Sequence, residues 1–184
     1  IMKRTPLLMV ISIFALCVYA AFAWAETEGL YEKYSRASEV KIFIVQPKEV
    51  AISGKIDTVA LKKALEKALS ERKSIHFKIV DSAAEASLSI EADLQGYYFS
   101  EHDPVDMLMG VGMAAMDAAK QDHFVQLEAD YRVLDVKGGQ VLWKDSLIAS
   151  ITDEKMTEDE AKLKILDRTA DVFIRSAFGK KKKR

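Results

Sequence analysis

The chain has 184 residues, which suits one domain with a real hydrophobic core. Its 27 basic and 28 acidic side chains nearly cancel, for a formal net charge of −1, so the overall balance points neither to nucleic-acid binding nor to a strongly acidic substrate. A single cysteine excludes a disulfide framework within the chain.

Residues 1–25 read as a secretory signal of bacterial type. Lys3 and Arg4 supply the positive start, and Leu7 to Cys17 is apolar except for Ser12. Ala23-Trp24-Ala25 then offers the small residues that signal peptidase accepts before its cut. Cleavage after Ala25 would deliver a soluble chain to the periplasm. An uncleaved signal would anchor the same chain to the inner membrane, because roughly 20 apolar residues span a bilayer. In both cases Glu26 and Glu28 lie on the far side from Lys3 and Arg4. Lipid attachment at Cys17 is disfavoured, since Leu16 stands where a small residue is required. Loss of Lys3 and Arg4 leaves 25 basic residues against 28 acidic, a net charge of −3, and no cysteine.

Residues 26–38 form a polar leader carrying Leu30, Tyr31 and Tyr34, consistent with a short helix. A single α+β domain is expected over 39–179. Val40–Val45 is β-branched and apolar, so it reads as a buried strand ended by Gln46-Pro47. Asp57–Lys73 repeats Ala60, Leu61, Ala64, Leu65, Ala68 and Leu69 at helical spacing, with Ser53 or Asp57 as cap. Ile75–Val80 reads as a second strand, and the pattern suggests a crossover unit.

Ala86–Tyr98 alternates strictly at first, with Leu88, Ile90, Ala92 and Leu94 on one face and Ser89, Glu91, Asp93 and Gln95 on the other. Phe124–Val136 alternates likewise. Lys137-Gly138-Gly139-Gln140 turns the chain, because glycine takes the positive φ that tight hairpins need. Val141–Ile151 returns as the partner strand, and its alternation slips near Asp145, where a bulge is expected. Thr157 and Glu160 form a capping box opening a final helix, Thr157–Phe178, and Gly179 ends it. The fold class is therefore a two-layer α+β sandwich. A mixed sheet of about five strands carries two amphipathic helices on one face, plus a helical insert.

That insert, residues 100–122, holds Met107, Met109, Met113 and Met116, four of the seven methionines. Asp103-Pro104 resembles a helix start, and Gly110, Ala114 and Ala118 follow small-residue spacing that admits a close backbone. One reading is a core helix on the sheet. The other is an adaptable contact with a partner or membrane, which the methionines suit. Lys180, Lys181, Lys182, Lys183 and Arg184 form a basic tail, either a solvated end or a contact for an anionic surface.

Chemical motifs are few. His102 and His123 bracket the insert near Asp103, Asp106 and Asp122, but no tight ligand spacing supports a metal site. Glu91 and Asp93 are paired carboxylates that strand alternation already explains. No nucleophile elbow and no phosphate-binding glycine loop is present, so neither a cofactor nor nucleic acid is implied, and the balance favours a non-enzyme.

Three pieces together carry a resemblance. They are the strand entrance Asp81–Ala92, the hairpin Leu127–Asp135 with Gly138-Gly139 and Val141-Leu142-Trp143, and the capped final helix. This set resembles bacterial envelope assembly factors of the LptE, CsgG and TolB-N-terminal type. It departs from them in lacking a well-placed acylation cysteine and in having Lys137-Gly138-Gly139 where Thr-Gly is common. The resemblance implies a non-catalytic periplasmic accessory or assembly factor docked on an outer-membrane or envelope complex. A lipid- or lipopolysaccharide-binding module is the second reading, and a hydrolase with an unrecognised site is the third.

Overall fold

One-sided alternation in the long strands decides the architecture, because every second side chain must be covered from the same side. The computed structural model describes residues 29–51, 56–100, 123–153 and 156–180. The export signal (residues 1–25), Met107, Met109, Met113 and Met116 of the insert, and Lys181–Arg184 lie outside the described residues.

In chain order the elements are helix α1 (Leu30–Tyr34), strands β1 (Val40–Ile44) and β2 (Lys48–Glu49), helix α2 (Thr58–Ser70), strand β3 (Phe77–Ile79), a 3-10 turn (Ala83–Glu85), strands β4 (Leu88–Ser100), β5 (His123–Asp135) and β6 (Val141–Asp153), and helix α3 (Glu158–Phe178). The sheet order is β3-β1-β4-β5-β6, with β2 also paired to β4. β1 pairs in parallel with β3 and β4, whereas β4, β5 and β6 run antiparallel. The mixed sheet and its two main helices match the expected class. Among the described residues the sheet has six strands, in keeping with the expected sheet of about five; the added one arises because pairing with β4 resumes after Pro47, placing Lys48 opposite Asp93.

Two irregularities fall where the sequence left them unspecified. β4 shifts register between Leu94 and Gly96, so Gln95 is an extra residue. Up to Leu94 the even-numbered residues are buried; beyond it Tyr97 and Phe99 pack on the core instead. The bulge in β6 is at Leu142, between the Val133–Trp143 and Leu134–Val141 pairs, and not at Asp145, which pairs regularly with Tyr131. The apparent slip at Asp145 is a charged residue at an inward-facing register position of an edge strand. Strand β3 is also shorter than the apolar run Ile75–Val80, although Ile75 and Val80 are both buried.

The core is a line of aromatic rings beneath α3. Trp143 of β6 meets Phe173 edge-on at 5.7 Å, and Tyr131 of β5 stacks on Phe173 at 4.5 Å. Phe173 contacts Phe178 at 6.1 Å, and Phe178 contacts Phe77 of β3 at 5.0 Å. Leu61, Leu65 and Leu69 of α2 complete the layer, and Leu30 of α1 joins it. Thr169, the buried polar residue of α3, donates its hydroxyl to the Ile165 carbonyl at 2.7 Å.

The helix ends follow their capping residues. Asp57 accepts from Val59 and Ala60 N–H and so caps α2, while Ser53 lies outside the described residues. Thr157 and Glu160 make the full capping box. That contact from Thr157 holds the Glu160 carboxyl below the usual carboxylate range. Gly179 ends α3 at φ −74°, without the left-handed turn typical of such glycines. It is required for another reason: a Cβ there would lie 2.1 Å from the Arg175 carbonyl oxygen. Gly139 in the β5–β6 turn does adopt a positive φ of 63°, as expected.

Two outcomes are expected. The Tyr131 hydroxyl is buried without a hydrogen-bond partner among the described residues, and burial pushes its ionisation upward, so it stays neutral. Tyr131→Phe should therefore raise the urea midpoint, by about 1 kcal/mol of stability; a clear loss would mean that the hydroxyl is partnered. Glu160 has a lowered folded-state pKa, so its contribution is present above the unfolded value and lost as pH falls through the folded one. Glu160→Gln should flatten that acid limb of the melting temperature and leave neutral-pH curves nearly parallel. An unchanged acid limb would refute the assignment.

Candidate interaction surface

The face of the sheet away from the helices is built from the polar positions of β4 and β5. Register places Glu91 opposite Arg132 and Asp93 opposite Asp130. Like charges facing each other across strands repel, and two neighbours relieve the repulsion here. The Arg132 guanidinium donates to Asp93 at 2.7 Å and lies 3.1 Å from Glu91. Gln95, projected by its bulge, donates its amide to Asp130 at 2.7 Å. A shallow groove of about 530 Å³ runs beside this cluster, lined also by Lys144, Asp145 and Ser146. The carboxylates are thus engaged by a guanidinium and an amide. This arrangement suits exchange of ion pairs with a polar partner.

The groove opens towards β6, at one edge of the sheet. This strand has 13 residues, and among the described residues no strand pairs with its outer side. Long edges invite pairing by another chain unless charges blunt them. Lys144 and Asp145 do so near the middle, and Asp145 is exposed although its register partner Tyr131 is buried. The remaining stretch, Leu147–Thr152, carries no charge, and Ile148 is 56% exposed. Val141 at the strand start is 44% exposed.

At the opposite pole, where α3 starts, Tyr97 has a buried hydroxyl with no partner among the described residues. Burial, with Glu158 and Asp159 nearby, raises its pKa to about 12. His123 Nδ1 accepts from the Met156 N–H at 3.1 Å and its ring meets Phe99 edge-on at 5.9 Å. This histidine therefore ties β5 to the entrance of α3. Among the described residues no cluster of three or more His, Cys, Asp or Glu is placed to hold a metal ion. His102, Asp103, Asp106 and Asp122 lie outside the described residues.

Of the contact residues expected from sequence, Lys180 is described and exposed. The structure brings forward others: Arg132 and Gln95 on the polar face, and Ile148 on the edge. Gly96 within a strand was the available signal for the bulge that aims Gln95. Nothing in the sequence marks Ile148, because its outward position opposite Glu128 is set by the register of β6 on β5.

No protein-family model matches the chain. No curated protein matches it in sequence. Solved structures do match. Protein XCC0632 from Xanthomonas campestris, of family DUF330, superposes with a TM-score of 0.51 at 9% identity, covering 74% of this chain and 82% of that one. The PelC dodecamer protein from Paraburkholderia phytofirmans gives 0.46 at 12% identity, covering 73% and 89%. Lipoprotein GNA1162 from Neisseria meningitidis gives 0.42 at 12% identity, covering 68% and 92%. The shared feature is the α+β fold, and the similar structures include bacterial lipoproteins. Among the described residues no helix is long and apolar enough to cross a membrane.

Arg132→Ala should lower stability by about 1 kcal/mol or less, since the pair is half exposed. In an Asp93→Asn background the loss should shrink, because one of the carboxylates that Arg132 neutralises is gone. Equal losses in both backgrounds, read from urea midpoints, would show that Arg132 acts through packing instead.

Proposed function

We propose that this protein is a non-catalytic accessory factor of the bacterial envelope, exported to the periplasm, that docks on a larger complex. The supporting observation is the 13-residue edge strand β6 with its uncharged, partly apolar stretch Leu147–Thr152. An extended segment of a partner would add a strand there, gaining main-chain hydrogen bonds along the edge. The adjacent groove, with Arg132, Asp93 and Asp130, would select for side chains of complementary charge.

Export rests on the n-region, apolar run and Ala23-Trp24-Ala25 site. The envelope setting is consistent with the resemblance to LptE-, CsgG- and TolB-type factors and with the fold shared with bacterial lipoproteins. An assembly role fits the polar sheet face, whose carboxylates are engaged by Arg132 and Gln95.

The test is crosslinking and capture from envelope extracts, comparing the wild type with Ile148→Asp. A charge at Ile148 blunts the edge and leaves the core intact. A partner captured by the wild type and reduced at least tenfold in the variant, with unchanged melting temperature, supports edge docking. No stable partner, or equal capture by both, overturns it.

A further inference from the structure

Strand β6 sorts its side chains onto the two sheet faces, and its register on β5 decides which goes where. Lys144, Ser146 and Ile148 lie opposite Arg132, Asp130 and Glu128 on the outer face, away from the helices. Asp145 and Leu147 lie opposite Tyr131 and Ala129, which are buried on the helix side. Along the open side of the strand a base, an acid and an exposed isoleucine therefore stand at fixed places. Lys144 points outward, Asp145 takes the inward register, and Ile148 points outward three residues further on.

Neither charge is compensated within the domain. Lys144 and Asp145 are exposed, and among the described residues neither takes part in an ion pair. The cross-strand neighbour of Lys144 is another cation, Arg132, whose guanidinium is engaged by Glu91 and Asp93. The neighbour of Asp145 is Tyr131, whose buried ring carries no charge. The Ser146 N–H donates to Asp145 Oδ1 at 3.0 Å, which holds that carboxylate beside the strand. Opposite charges facing each other across strands stabilise, and like charges destabilise. A strand added to the open side of β6 could compensate both.

We infer that the segment docking on β6 is an antiparallel strand of a different polypeptide, with a defined order of side chains. From its N-terminal side it carries an apolar residue opposite Ile148, an apolar residue opposite Leu147 and a small polar residue opposite Ser146. A basic residue opposite Asp145 and an acidic residue opposite Lys144 follow. The inference rests on edge docking as proposed above and specifies the docked sequence. The antiparallel sense continues that of β4, β5 and β6, and such pairs are slightly more stable per residue than parallel ones. Side-chain alternation argues against a second copy of β6 as that strand. Facing residues of an antiparallel pair share a sheet face, and Lys144 and Asp145 lie on opposite faces, so two copies of β6 never bring them together. Centred on Ile148, such a pair would set Lys144 against Thr152 and Asp145 against Ile151. The other charged residue of β6, Asp153, shares the face of Asp145 and cannot meet Lys144 either.

The experiment measures binding of two labelled synthetic peptides to the protein by fluorescence anisotropy at low ionic strength. One peptide is Thr-Val-Ser-Val-Ile-Val-Ser-Lys-Glu-Thr, and the other has its Lys and Glu exchanged. The wild type should bind the first more tightly, by about tenfold, because two cross-strand ion pairs replace two like-charge contacts. The Lys144→Glu, Asp145→Lys variant should reverse that preference. Ile148→Asp should abolish binding of the first peptide, and melting curves check that both variants fold. Equal affinity for the two peptides, lost in Ile148→Asp, would overturn the charge pattern and leave edge docking intact. Binding that Ile148→Asp leaves unchanged would overturn edge docking itself. Tighter binding of a peptide with the whole order reversed would overturn the antiparallel sense, and failure of both peptides to bind would overturn the sequence pattern. A dimer in sedimentation that Ile148→Asp dissolves would make the occupant a second copy and overturn the different polypeptide.

Discussion

Phe173 sits where the architecture converges. It stacks on Tyr131 from the centre of the sheet, meets Trp143 from the edge strand and touches Phe178, which reaches Phe77 at the other side. Aromatic pairs of this kind add to the area they bury. The result is a single helix that fastens both ends of an open sheet. Without α3 across the rings, the inner face of β5 and β6 would be open to water, since α2 covers the β1 and β3 side.

One-sided covering has a consequence for the other side. The outer face of β4 and β5 stays solvated, so its polar residues are free to set up their own network. Register then decides which charges meet. Asp93 opposite Asp130 is an unfavourable pair in isolation, and Arg132 and Gln95 offset it. The Gln95 bulge has two effects at once: it aims that amide at Asp130, and it switches the inward positions so that Tyr97 and Phe99 reach the core. Local irregularity in β4 thus couples the packed face to the exposed one.

The β6 edge offers unpaired main chain and an exposed isoleucine, which suits an extended polypeptide.

Most of the elements were legible because their signals are local. The alternation in Leu88–Leu94 and Val125–Val133, the helical stripe of Ala161, Ile165, Leu166, Thr169, Phe173 and Ala177, and the Thr157–Glu160 box each lie within a few residues of sequence. All of the named α3 positions are buried, as that stripe requires. What could not be read depends on neighbours far along the chain. Asp145 looked like a bulge because its pairing with Tyr131 and its place on an edge are properties of strand order. The return of β2 after Pro47 needs β4 beside it. The ion-pair network needs a register, and the hydrogen bond from Arg72 to the Phe178 carbonyl joins residues 106 positions apart. Sequence by itself determined most of the helices and strands and the apolar side of each regular stretch, because those follow from short-range periodicity and capping. Tertiary structure alone decided which edge is open and which charges share a surface, because both are set by long-range packing.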